Sequence, residues 1–280
     1  MVTQSSAVAL LPYYRPTPVW ARIARFCRVI THFAGGLATT MFVFPWVGPS
    51  RKRALIRRWS RQLLQMLNIR RRVNWRHEGG MRGHVLIVAN HVSWLDIFVL
   101  NAQQPARFIA KAELSRLPLI GRLCRNVGTL FIERERRRDT HAVNGQTVEA
   151  LTRGDLVAVF PEGTTSDGTR LLKFHSSLLQ PIVDARGTVQ PVAIRYRTPT
   201  DEYSDAAAFV GDLTMVGSLW RLTGERSLVA EITILPQLPA AERTRRELSN
   251  AAAAAIQTVL ASPGRATGPD TRGGRRASPR

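Results

Sequence analysis

The sequence predicts an α/β fold, a mixed, largely parallel sheet flanked by helices, preceded by an N-terminal membrane-associated helical segment. Three observations predict it. Short apolar runs recur through residues 77–260. Stretches that read as helices separate most of those runs, an alternation that implies parallel strands joined by crossovers. In front of them, no Asp or Glu occurs from Met1 to His77, while 14 Arg or Lys do. The formal net charge of +20 is therefore carried largely by the ends of the chain, and 78–260 is nearly neutral. An acid-free segment of this length favours an anionic partner, either lipid headgroups or nucleic acid.

Residues 1–17 carry Pro12 and Pro16, show no period, and are read as irregular. Residues 29–50 hold no charge, and Phe33, Leu37, Met41, Phe42, Val43, Phe44, Trp46 and Val47 make much of the run apolar. Roughly 20 apolar residues cross a bilayer as a helix. His32, Gly35, Gly36, Thr39, Thr40 and Pro45 interrupt this run, so it either spans or enters one leaflet and returns. Its late start and the basic segment after it argue against a cleaved signal peptide. Ten basic residues from Arg51 to Arg76 outweigh the four before the run, which places the following domain in the cytoplasm. In residues 54–67, Leu55, Ile56, Trp59, Leu63, Met66 and Leu67 fall within an arc of about 120° at the helical period, opposite Arg57, Arg58 and Arg61. Such a basic amphipathic helix suits a lipid interface. Packing on the protein's own core produces the same pattern, and the apolar, acid-free surroundings favour lipid.

Strands are expected near 85–89, 107–110, 129–133, 156–160, 189–196 and 228–235, and helices near 96–101, 138–153, 177–185 and 242–260. The Pro, Gly and Arg content after Ser262 marks a disordered basic tail. Three parts result: a basic membrane-associated segment over 1–76, a catalytic domain over 77–260, and the tail over 261–280. Cys27 and Cys124 have no motif spacing and are expected as reduced, buried thiols.

Residues 90–96 read Asn-His-Val-Ser-Trp-Leu-Asp between a buried strand and a helix. Within one regular helix, residues five apart lie roughly 140° apart, so His91 and Asp96 meet only if His91 is on the entering turn. Ser93-Trp94-Leu95-Asp96 has the form of a capping box that would provide that turn. On this stretch alone, a histidine base oriented by a carboxylate and an ordinary helix start with an incidental histidine both remain open.

Further blocks narrow the choice. Gly128-Thr129-Leu130-Phe131-Ile132-Glu133-Arg134, Phe160-Pro161-Glu162-Gly163-Thr164-Thr165-Ser166 and Val189-Gln190-Pro191-Val192-Ala193-Ile194 follow in that order. With the histidine, four residues and aspartate, this set resembles the glycerolipid acyltransferases typified by 1-acyl-glycerol-3-phosphate acyltransferases. The resemblance implies an O-acyltransferase that moves a fatty acyl group from acyl-ACP or acyl-CoA to the free hydroxyl of a lysolipid. It implies His91 and Asp96 as the catalytic pair, Arg134 on the acceptor's phosphate, and Glu162, Gly163 and Thr164 in the acceptor site. It implies no cofactor, since the acyl donor is a substrate. Its partners would be anionic membrane lipids, the lysolipid acceptor and the thioester carrier. Its place would be the cytoplasmic (inner) membrane, with the catalytic domain facing the cytoplasm.

The residues add three points of their own. No Gly-x-Ser-x-Gly elbow is present, so direct attack without an acyl-enzyme is expected. Asn90, the amides at the helix start and the Glu162–Thr164 turn are the candidate oxyanion donors. No ligand cluster implies a metal. One departure bears on the acceptor. Phosphatidate-forming members usually carry Phe-Lys-Lys-Gly where this chain has Phe174-His175-Ser176-Ser177. Lysophosphatidate is the first acceptor expected, and lyso-ornithine lipid is the second. From other classes, a non-catalytic membrane-binding protein and a nucleic-acid binder compete, although no aromatic-interleaved nucleic-acid motif is present and no nucleic-acid partner is expected.

Overall fold

The computed structural model describes residues 17–77, 80, 81, 83–132 and 137–262, the last range without the side chains of 137–142. Eight strands form one sheet: β1 Ile69–Trp75, β2 Val85–Ala89, β3 Arg107–Lys111, β4 Leu130–Ile132, β5 Val157–Val159, β6 Thr188–Arg197, β7 Leu228–Ile234 and β8 Leu238–Pro239. Their order is β1-β7-β6-β2-β5-β3-β4, with β8 beside the start of β6. All pairings are parallel except β6 with β7 and with β8. The helices are α1 Val19–Phe42, α2 Pro49–Met66, α3 Leu95–Gln103, α4 Glu113–Arg116, α5 Ile120–Asn126, α6 Arg137–Thr152, α7 Gln180–Asp184, α8 Met215–Gly224 and α9 Arg245–Ala261.

Two apolar cores sandwich the sheet. Val85, Ile87 and Ala89 of β2 join one with Val29 of α1, Leu63 and Leu64 of α2, Leu95 and Val99 of α3, and Leu219 and Leu222 of α8. Leu86 and Val88 join the other with Leu151 of α6, Ile182 of α7, and Leu248, Ala252 and Ile256 of α9. Both faces of the central strand are covered, so β2 is apolar at every position instead of alternating.

Several expectations change here. The amphipathic helix does not offer its apolar face to lipid. Leu63, Leu64 and Leu67 are buried in the first core, Trp59 packs on Phe98 of α3, and Arg61 donates to the Ala102 carbonyl at 2.9 Å. Burying each leucine contributes about 1.5–3 kcal/mol, which holds α2 on the domain. Residues 69–75, within the segment read as membrane-associated, form β1 and pair with β7 over seven positions. Residues 177–185 are a 3-10 turn over Ser176–Leu179 followed by α7, whose Pro181 stands in its first turn. Cys27 is exposed on α1, and Cys124 is half-buried, where burial pushes its thiol up. Helices α4, α5 and α8 and strands β1 and β8 were not expected. Residues 1–16, the tail beyond Ser262 and Arg134 lie outside the described residues.

Helix α1 begins ten residues before the charge-free run. Residues Val19–Trp46 are long and apolar enough to cross a membrane by length and composition. Both ends of α1 are nevertheless tied to the sheet-bearing part of the chain. Thr17 donates to the Gly224 carbonyl at 2.6 Å, Arg25 to the Thr223 and Glu225 carbonyls at 3.0 and 2.8 Å, and Asn126 to the Thr40 hydroxyl at 3.1 Å. Pro45 and Pro49 break the helix and restart it as α2. The two helices clasp where His32 stacks on Trp59 and the Trp59 indole donates to the His32 carbonyl.

Candidate active site

Strand β2 delivers the chain to the carboxyl edge of the sheet, and residues 90–94 turn it into α3. The Asn90 side chain pins that turn to β6, donating to the Ile194 carbonyl at 2.9 Å and accepting from the Ile194 amide at 2.7 Å. His91 then lies on the entering turn and Asp96 in the first turn of α3, and His91 Nδ1 stands 2.9 Å from Asp96 Oδ2. The expected capping box forms only in part. Asp96 Oδ2 accepts from the Ser93 amide at 2.9 Å, but the Ser93 hydroxyl accepts from Leu95 at 3.3 Å. The Asp96 amide bonds the Ser93 carbonyl instead, at 3.0 Å. The turn is tighter than a standard cap because the same carboxylate oxygen also takes the Val92 amide at 2.7 Å.

Asp96 is fully buried and its carboxylate is saturated with donors. Three converge on Oδ2, and the Tyr196 hydroxyl donates to Oδ1 at 2.7 Å. Burial and the Asp96 charge hold the Tyr196 phenol well above its ordinary range, so it remains a donor. A carboxylate accepting two amides and a phenol has no proton of its own to share, which puts the imidazole hydrogen on His91 Nδ1. Nε2 is left with its lone pair and, among the described residues, no hydrogen bond. The His91 side chain is 18% exposed, so that nitrogen can be reached.

Two further groups fix the ring and its backbone. Phe160 stacks on the imidazole with centroids 4.0 Å apart, and Phe108 of β3 stacks behind Phe160. Glu162 is buried and bridges two loops: Oε1 accepts from the His91 amide at 2.7 Å and Oε2 from the Leu172 amide at 2.8 Å. Burial pushes its carboxyl above the usual range, and the two amides pull it back. Gly163 takes φ +72°, a left-handed turn that favours glycine. Of the candidate oxyanion donors, the Asn90 side chain and the amides of His91, Val92, Ser93 and Gly163 are all occupied within the protein. Among the described residues the amides of Trp94, Glu162 and Thr164 donate to no protein acceptor.

The structure thus brings His91, Asp96, Glu162, Gly163 and Thr164 together at one edge. Tyr196 and Phe160 were not expected in this role. Phe160 opens a quoted block, but Tyr196 stands two residues beyond the last one and only strand register brings it under Asp96. His175 is exposed, and its amide donates to the Pro161 carbonyl. Among the described residues no three His, Cys, Asp or Glu side chains converge as a metal site would require.

The family profile for acyltransferases matches residues 66–195. A 1-acyl-sn-glycerol-3-phosphate acyltransferase of Neisseria gonorrhoeae is 38% identical over 178 residues, 63% of this chain and 69% of that one. A lyso-ornithine lipid O-acyltransferase of Pseudomonas aeruginosa is 41% identical over 216 residues, 76% of this chain and 81% of that one. In structure, the 1-acyl-sn-glycerophosphate acyltransferase PlsC of Thermotoga maritima superposes with a TM-score of 0.61 at 18% identity, over 87% of this chain and all of that one.

Proposed function

This chain belongs to the acyltransferase family, and from that premise we propose that it transfers a fatty acyl group from acyl-ACP or acyl-CoA to the free hydroxyl of a lysolipid. The observation that carries the mechanism is His91, with Nδ1 held by a saturated carboxylate and Nε2 open. Nε2 takes the proton as the acceptor oxygen attacks the thioester carbon. Asp96 holds the tautomer and offsets the charge of the imidazolium. The tetrahedral oxyanion lies against the Thr164 amide, one of the candidate donors not already used within the protein. It then collapses, the C–S bond breaks, and the leaving thiolate recovers the proton from His91. No acyl-enzyme and no cofactor takes part. Glu162 and Gly163 shape the acceptor side of the turn, and Arg134 would hold an acceptor phosphate.

The first acceptor we assign is 1-acyl-glycerol-3-phosphate, giving phosphatidate. A second reading, lyso-ornithine lipid, is favoured by the Phe174–Ser177 stretch, where an exposed His175 and a half-buried Ser176 replace a lysine pair, and by the length over which the Pseudomonas aeruginosa relative matches. Purified membranes carrying the chain, supplied with an acyl donor and each acceptor in parallel, decide between them. Product that depends on His91 from lysophosphatidate supports the first reading. Product from lyso-ornithine lipid alone overturns it in favour of the second, and product unaffected by His91→Ala overturns the mechanism.

We place the enzyme on the cytoplasmic face of the inner membrane, with α1 along the leaflet and not across it. The support is the anchoring of α1 at both ends. A crossing α1 would draw α5 and α8, with Arg122, Arg125 and Arg221, into hydrocarbon, where each charge costs at least ~2.5 kcal/mol. Alkaline carbonate should release the protein, and retention in the pellet would favour a span.

A further inference from the structure

Resting on that membrane reading, we propose that the α4–α5 hairpin of the catalytic domain is a second lipid anchor, inserting its tip into an anionic leaflet beside the active site. Four large apolar side chains stand out within seven residues: Leu114, Leu117, Leu119 and Ile120 are 38%, 45%, 67% and 44% exposed. Leu119, the most exposed, adopts φ 63° and ψ −56°, and the Ile120 amide donates to the Pro118 carbonyl at 2.6 Å. This is a γ-turn, a strained arrangement for a leucine. The strain holds outward an apolar side chain that water disfavours, and lipid would relieve that exposure.

The hairpin is also prebuilt. Gly121 is packed so closely that an added Cβ would lie 2.3 Å from the Ser115 carbonyl oxygen. Its amide bonds the Leu117 carbonyl at 2.8 Å, and Arg125 donates to the Ser115 carbonyl at 2.7 Å. Charge complementarity selects the partner. Arg116, Arg122 and Arg125 ring the tip and are exposed, with Glu113 the sole acid of the hairpin, and each such cation adds attraction to an anionic lipid surface. The surface is continuous with α1, because the Asn126–Thr40 bond joins the end of α5 to the end of α1. Phe42, Val43 and Trp46 stand 69%, 40% and 86% exposed there. The hairpin follows the carboxyl end of β3, which is parallel to β5 and β2, so the tip lies on the same sheet edge as His91.

The test is environment-sensitive labelling of single cysteines in the full chain, with Cys27→Ser and Cys124→Ser as background. A nitrobenzoxadiazole probe is carried at Leu119→Cys or, separately, at Trp46→Cys, with vesicles of phosphatidylethanolamine and phosphatidylglycerol. The expected result is a blue shift and quenching by lipid-borne nitroxide at both positions. A response at position 46 with position 119 still reporting water would overturn the second anchor and leave the membrane reading standing. Silence at both would overturn the membrane reading and the anchor together. Leu119→Gly is a second variant, which relieves the γ-turn and removes the side chain. It should leave thermal unfolding unchanged or raise its midpoint, while lowering vesicle partitioning about tenfold. Unchanged partitioning would overturn the proposal.

Discussion

The turn that carries His91 and the rim formed by α1 and the α4–α5 hairpin share one edge of the sheet and are built on opposite terms. In the turn almost every polar group is bonded, and Asp96 alone takes four donors while fully buried. On the rim, Trp20, Phe42, Trp46 and Leu119 stand 74%, 69%, 86% and 67% exposed. The turn is rigid because each group left unsatisfied there would cost free energy. The rim keeps apolar surface in water, an arrangement that stabilises the protein only if something apolar covers it. Substitutions in the turn should therefore act on rate and stability, and substitutions on the rim on partitioning.

The largest effect belongs to His91→Ala. Removing the proposed general base should lower kcat by about 10²–10⁴-fold, and the unfolding midpoint should fall as well, because the Nδ1 bond to buried Asp96 and the stack on Phe160 go with the ring. A steady-state assay with a saturating acceptor measures it, and residual activity above a tenth of wild type would remove His91 from the proton transfer.

Glu162→Ala comes next and is mainly a stability effect. It strands the amides of His91 and Leu172 at about 1–3 kcal/mol each, and denaturant unfolding should register the loss together with reduced activity. The pH dependence has a definite sign. Burial raises the folded carboxyl above the ordinary value of 4.5, so the folded state holds its proton more tightly than the unfolded chain. That contribution is fully present below the unfolded value and is lost as pH rises through the raised folded value. The stability of wild type relative to Glu162→Gln should therefore be greater near 4.5 than at neutral pH. The opposite trend would mean that the two amides outweigh burial.

Tyr196→Phe should be smaller, about tenfold or less in kcat/KM. It strands Asp96 Oδ1 at about 1–3 kcal/mol and leaves the negative charge of the carboxylate concentrated toward His91 Nδ1. The groups facing that carboxylate are His91, Tyr196 and, at longer range, Glu162. With Oδ1 unbonded the carboxylate is freer to turn and holds the imidazole less firmly, so the loss should fall on kcat with KM little changed. A loss confined to KM would remove Tyr196 from the positioning of His91.

The legibility of the two regions in sequence follows the same division. The six expected strands were readable because covered strands are apolar at most positions, and the strand-to-helix placement of His91 followed from them. Strand β1 was hidden by Arg70, Arg71 and Arg72, whose charges broke the alternation that a strand beside a single neighbour would otherwise show. The lipid preference assigned to residues 54–67 reversed because an apolar helical stripe records burial without naming what covers it, and α3 does. Tyr196 could not be found by spacing, since it lies 100 residues from Asp96 and meets it only through the register of β6. Leu119 was equally silent, because nothing local announces that a leucine will be turned outward.

The smallest stability effect, and the one that tests the rim most directly, is Trp46→Ala. The side chain is 86% exposed at the corner between α1 and α2, so its removal should change unfolding free energy by no more than about 0.5 kcal/mol. Its loss of apolar area should nevertheless weaken partitioning into anionic vesicles several-fold, because an aromatic side chain at a membrane interface presents a large apolar area. Turnover of an acceptor dispersed in detergent should be preserved, while turnover of the same acceptor presented in vesicles should fall in parallel with partitioning. A loss of both activities in equal measure would mean that the corner supports the fold of the turn, and that the rim and the site are one mechanical unit instead of two surfaces sharing an edge.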